Sequence, residues 1–116
     1  MKKYTCIFYE TTSGRCPAEE FVDSLEESTY DKFLHKKELL EDHGPQLRFP
    51  HTAPLDDGIF ELRFKGREGQ IRVLFFFYVD KTIVLNHGFV KKTQKTPKKE
   101  IELARRRRKD FLNRKN

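Results

Sequence analysis

The chain has no tryptophan, a single methionine and only two cysteines, Cys6 and Cys16. Two cysteines do not make a disulfide framework. Both are read as reduced thiols of a cytoplasmic protein. No apolar run approaches the roughly 18 residues that would argue for a membrane span. Met1-Lys2-Lys3-Tyr4 is basic, but no apolar stretch follows it, so no export signal is expected. There is no glycine-rich phosphate loop and no G-x-S-x-G elbow. His35, His43, His51 and His87 lack metal-ligand spacing, so neither a metal nor another cofactor is expected. Internal repeats and long linkers are missing too. The 116 residues are therefore read as one domain, 1–116.

Aromatic and charged residues are plentiful. Eleven phenylalanines offer a core to a chain in which 36% of residues are charged. The charge is uneven. Residues 91–116 hold 12 Lys/Arg against 3 Asp/Glu, a local net of +9, whereas residues 1–90 carry a net of −3. A basic tail on a nearly neutral body points to a polyanionic partner. The plainer alternative is a solvated helix that keeps the protein soluble.

Tyr4 to Tyr9 is β-tolerant throughout and reads as a first strand. Pro17, followed by Glu19 and Glu20, opens a helix through Leu25. Ser28-Thr29 offers an N-cap to a second helix that stops at Gly44-Pro45. Phe49 to Asp57 reads as irregular. Ile59–Phe64 alternates, Gln70–Val79 is almost continuously apolar, and Thr82–Val90 is a last strand; short turns join them into a meander. Thr96 as N-cap and Pro97 at the first position start a final helix with Ile101, Ala104, Phe111 and Leu112 as its stripe. The expected order is β-α-α-β-β-β-α, an α+β fold with helices packed on one face of an antiparallel sheet.

Arg63 and Arg72 are charges inside otherwise apolar strands. A guanidinium at mid-sheet needs a carboxylate or an anionic ligand. Glu61, on the same face as Arg63, is the structural alternative. Counting from the middle of the Gly66–Gly69 turn places the two arginines as near or diagonal neighbours rather than as a clear pair. His87 alternates with Ile83, Leu85 and Phe89, which suggests a buried histidine; a bulge at Gly88 would turn it outward. Asn86 would then be on the open face. Lys91, Lys92, Gln94 and Lys95 leave the sheet together and suit phosphate.

With these residues placed, the chain resembles the RelE/ParE superfamily of type II toxins, closest to the HigB-like, phage-derived branch. The resemblance is strongest at Gly58-Ile59-Phe60-Glu61-Leu62-Arg63, at Ile71-Arg72-Val73-Leu74-Phe75-Phe76 and from Ile83 through Ala104. It implies a RelE-like ribonuclease fold and a metal-independent endoribonuclease that cuts mRNA, commonly on the ribosome. It also implies a cognate antitoxin, often a helix-turn-helix protein. The candidate catalytic residues are Arg63, Arg72, Lys91, Lys92 and His87. Gln94, Lys95 and the run Arg105, Arg106, Arg107 and Arg108 would bind RNA. A gyrase inhibitor of the same fold and a non-catalytic phage nucleic-acid-binding protein are the competing readings.

Overall fold

The computed structural model describes residues 2–115. Its elements run β1 Thr5–Phe8, α1 Pro17–Asp23, α2 Glu27–His43, a 3-10 turn Gly44–Gln46, β2 Thr52–Asp56, β3 Ile59–Gly66, β4 Gly69–Tyr78, β5 Thr82–Lys91 and α3 Lys98–Lys115. The five strands form one sheet in the order β1-β5-β4-β3-β2. The meander β2-β3-β4-β5 is antiparallel, as expected, while β1 lies parallel to β5. The stretch read as irregular supplies a strand of its own, β2. It tolerates Pro54 because it is an edge strand, where a missing N–H costs least. Asp57 and Gly58, both at positive φ, close the β2–β3 hairpin.

The helices are not on one face. Helices α1 and α2 cover Leu62, Phe64, Ile71, Val73, Phe75, Ile83 and Leu85 with Val22, Phe33 and Leu40. Helix α3 covers the opposite face, where Ala104 and Phe111 pack on Ile59, Leu74, Phe76, Val84 and Phe89. The cause is in β4. Ile71 to Phe76 is buried at every position, so both faces of the central strand need a cover.

Two helix starts also differ from expectation. Helix α2 begins at Glu27, ahead of Ser28-Thr29. Glu68, in the β3–β4 turn, caps it from outside: its carboxylate accepts the Glu26 N–H and the Thr29 hydroxyl, each at 2.7 Å. Thr96 does not cap α3, since its hydroxyl donates to Glu61 at 2.7 Å.

Strand β5 carries a bulge. Phe75 pairs with Leu85 and Leu74 pairs with His87, which leaves Asn86 as the extra residue. Leu85 and His87 therefore face opposite sides of the sheet although they are two apart. Beyond the bulge, Gly88 and Val90 take the α1 face, and His87, Phe89 and Lys91 take the α3 face. The bulge is at Asn86 and not at Gly88. Gly88 serves another purpose: a Cβ there would overlap the Phe21 ring, so glycine lets α1 lie close on β5.

Candidate functional site

Arg63 and Arg72 are direct cross-strand partners. Each stands three residues from the closing pair Gly66–Gly69, so they meet face to face on the α3 side of the sheet. Two like charges in that position repel. Glu61 lies between them: it accepts Arg63 Nη1 at 2.6 Å and sits 3.7 Å from Arg72 Nε. One carboxylate thus offsets two guanidinium groups, and one of its oxygens also accepts Thr96.

Arg72 is 3% exposed. Its Nη1 donates to the Ile71 carbonyl at 2.9 Å, and its Nε has no hydrogen-bond partner among the described residues. Burial, then the neighbouring Arg63, pulls its pKa below the ordinary arginine value against the opposing effect of Glu61. A buried cation left partly unsatisfied is costly unless an anion completes its shell.

Lys91 pairs with Gln70 two positions beyond Arg72 on the same face, because the Asn86 bulge turned it there. Arg63, Gln70, Arg72, Lys91, Lys92, Thr93 and Gln94 line an open groove of about 460 Å³. Partial desolvation, and after it Arg72, lowers the Lys91 pKa from 10.5. Thr93 Oγ1 donates to the Lys95 carbonyl at 2.6 Å and tightens the turn that carries these side chains. Lys95 itself is exposed beyond the groove. Among the described residues no cluster of three His, Cys, Asp or Glu side chains is placed to hold a metal ion.

His87 shares the face but not the groove. Four residues of β5, about 13 Å at the usual strand rise, separate it from Lys91. It stacks on Phe89 at 5.3 Å beneath α3. Nε2 faces Glu100 Oε1 at 2.7 Å, and Nδ1 faces Arg107 Nη1 at 3.3 Å. A neutral ring satisfies both contacts, with Nε2–H donating and Nδ1 accepting. Burial lowers its pKa below 6.5; Glu100 opposes this and Arg107 reinforces it. Asn86 is wholly buried, not open, and donates Nδ2–H to the Ala104 carbonyl at 2.9 Å.

The arginine run is divided by helical geometry. Arg107 turns inward and donates to the Asn86 carbonyl at 2.7 Å. Arg105 pairs with Asp57 at 2.7 Å, and Arg108 lies over the Phe76 ring at 5.7 Å. Arg106 is exposed beside Arg105 and Lys109 on the rim of a second cavity of about 820 Å³. Thr96, bonded to Glu61 beside the first groove, precedes α3, and the helix then runs seven residues, about 10 Å at the usual rise, from Lys98 to Arg105. The two basic regions thus occupy the two ends of the α3 face.

Sequence reasoning passed over Phe49. Its ring is 71% exposed, and the Arg63 guanidinium lies over it at 5.0 Å from the centroid. The adjoining Pro50 and the lack of any periodic pattern hid it inside a stretch read as irregular.

A comparison with curated proteins gives no match. No helix among the described residues is long and apolar enough to cross a membrane. The model of one protein family, described as phage derived protein Gp49-like (DUF891), matches residues 20–109, which include β3 to β5 and most of α3. The chain belongs to this Gp49-like, phage-derived family, a family related to the RelE-like toxins.

Proposed function

We propose that the chain is the toxin of a type II toxin-antitoxin system and a metal-independent endoribonuclease that cuts mRNA on the ribosome. The observation that carries this reading is the Arg63–Arg72 pair: two adjacent guanidinium groups, one carboxylate between them, and an open groove with two lysines beside them. Such a site has an excess of positive charge and fits a phosphodiester.

In the proposed reaction the ribose 2′-oxygen attacks the adjacent phosphorus. The P–O5′ bond breaks, leaving a 2′,3′-cyclic phosphate and a 5′-hydroxyl end. The 2′-hydroxyl loses its proton to a base, and the departing 5′-oxygen gains one from an acid. Arg63 and Arg72 hold the phosphoryl oxygens as negative charge builds on them. Lys91, with its lowered pKa, is suited to proton transfer, and Lys92 to charge stabilisation. Gln94 and Lys95 position the strand. His87 supports the site from beneath α3, since both of its nitrogens are engaged. Arg106 and its neighbours would take backbone phosphates farther along a bound RNA. A helix-turn-helix antitoxin is the expected neutralising partner, and the cytoplasm the expected compartment.

The test is to map mRNA 5′ ends after brief induction in a bacterial host, beside an Arg63→Ala/Arg72→Ala control. New ends within coding regions, absent from the control, are expected. Intact messages with arrested growth would move the reading to inhibition of a topoisomerase. Intact messages with normal growth would leave a non-catalytic nucleic-acid-binding protein.

A further inference from the structure

Among the described residues, Phe49 is the most exposed of the large hydrophobic side chains, ahead of Val79 at 61%. Its backbone is nevertheless fixed on both sides. Before it, Leu47 packs against the α1/α2 core, and the Leu47 N–H donates to the Gly44 carbonyl at 3.0 Å. After it, the His51 N–H donates to the Arg48 carbonyl at 3.0 Å, and the buried Thr52 hydroxyl donates to the Leu47 carbonyl at 2.8 Å. The His51 carbonyl accepts the N–H of Arg63 itself at 2.8 Å, and Lys36 Nζ meets His51 Nδ1 at 2.7 Å. The loop is therefore registered to the residue whose guanidinium lies over the ring. A cation over an exposed ring returns less than burying that ring would, so folding alone gives no reason to hold Phe49 in water.

We propose that Phe49 is a stacking platform for an unpaired nucleobase of single-stranded RNA whose phosphate lies in the Arg63–Arg72–Lys91 groove. This deepens the reading of the groove as a phosphodiester site and rests on it. A base is joined to its own phosphate through one ribose, so a platform one guanidinium away from a phosphate site is within one nucleotide's reach. Arg63 joins the two: its guanidinium carbon lies over the ring, and its side chain lines the groove. A base held inside a duplex has no free face to offer, so the platform selects unpaired nucleotides. Because every base has a π-face, it selects single-strandedness rather than sequence.

The chain has no tryptophan, so Phe49→Trp introduces one fluorophore at the platform. The probes are a short single-stranded RNA with 2′-O-methyl riboses, which cannot supply the attacking hydroxyl, and an abasic oligonucleotide of the same length and phosphate count. The intact probe is expected to quench the introduced indole, and the abasic probe to bind more weakly and leave it unquenched. Phe49→Ala is expected to weaken binding of the intact probe by about tenfold and binding of the abasic probe not at all. If Phe49→Ala binds the intact probe as tightly as the wild type, and the abasic probe binds equally well, the platform is refuted while the groove stands. The ring then belongs to a protein contact. If neither probe binds the wild type at low salt, the phosphodiester reading of the groove falls and the platform falls with it.

Discussion

Under the proposed function, Arg72 is a residue whose role in the reaction and whose effect on stability point in different directions. It is buried, it faces Arg63, and its Nε lacks a partner. Removing Arg72 leaves Glu61 still paired with Arg63 and bonded to Thr96, so replacing this one cation with an apolar side chain of similar length strands no carboxylate and is expected to be neutral or stabilising. Arg72→Met should thus melt at the wild-type temperature or above it and should fail to cleave RNA, as thermal denaturation beside a cleavage assay would show. Glu61→Gln should do the reverse to stability. It leaves two guanidinium groups without their shared carboxylate and should cost about 2–3 kcal/mol, discounted because Arg63 is partly exposed. Chemical denaturation measures that loss; an unchanged midpoint would mean that the carboxylate is not holding the pair. Titration adds a second residue-scale test. Burial holds the His87 pKa below 6.5 in the folded protein, so the unfolded chain binds the proton first as pH falls. The stability from neutral His87 is complete above about pH 6.5 and is lost below it, as pH falls through the folded pKa. Glu41 continues the trend at lower pH. Burial works to raise its pKa, but the Cys6 N–H at 2.9 Å, Lys2 and Lys37 hold it below 4.5. Its contribution is full above about 4.5 and is lost as pH falls through the folded value. The His87 ring signal in an NMR titration should therefore show a midpoint below 6.5; one above it would mean that the Glu100 contact outweighs burial. Both arginines stood out in the sequence as charges in apolar strands. Their pairing did not, because it depends on which two residues form the turn, and the pair Gly66–Gly69 leaves only Arg67 and Glu68 outside the ladder.

At the scale of elements, periodicity identified every helix and four of the five strands. Strand β2 was hidden by Pro54 within it and Pro50 before it, and its pairing comes from contact with β3 rather than from its own pattern. The placement of α3 on the second face was legible in principle. A central strand that is apolar at consecutive positions needs cover on both sides, and Val73 to Phe77 is such a run. The bulge was not legible. Nothing in Asn86 marks it as the extra residue, because the two-against-one count is a property of both strands. Yet the bulge decides which face Lys91 joins, and so whether the groove has its lysine. Gly88 attracted notice as the bulge candidate, but its role is close approach. Gly88→Ala should cost about 1–3 kcal/mol, since the added methyl meets the Phe21 ring. Combining it with Phe21→Ala should recover part of that loss, giving a non-additive double-mutant cycle. Additive effects would show that α1 does not rest on β5 through this contact.

For the whole molecule, the basic tail of the sequence contributes to two basic regions of different character. At one end of the α3 face, Arg63, Arg72, Lys91 and Lys92 line an open groove, with Glu61 as the carboxylate that the two arginines share. At the other end, Arg105 is offset by Asp56 and Asp57, and Arg107 is drawn into the interior. A count of charges along the sequence could not separate these ends, because a helix sends neighbouring residues in different directions. The same fold exposes Phe49 beside the first site. An exposed aromatic ring beside a basic groove is a feature expected of a protein that binds single-stranded nucleic acid. Both readings that involve nucleic acid gain from it.

In the proposed reaction the paired arginines serve attack by a ribose 2′-hydroxyl. This role is tested most directly by the chemistry of the 5′ ends formed on mRNA after induction, read by ligation with and without prior phosphorylation. The predicted result is 5′-hydroxyl ends with the wild type and none with a folded Arg72→Met variant. Ends bearing 5′-phosphate, or 5′-hydroxyl ends that persist undiminished in the variant, would contradict it.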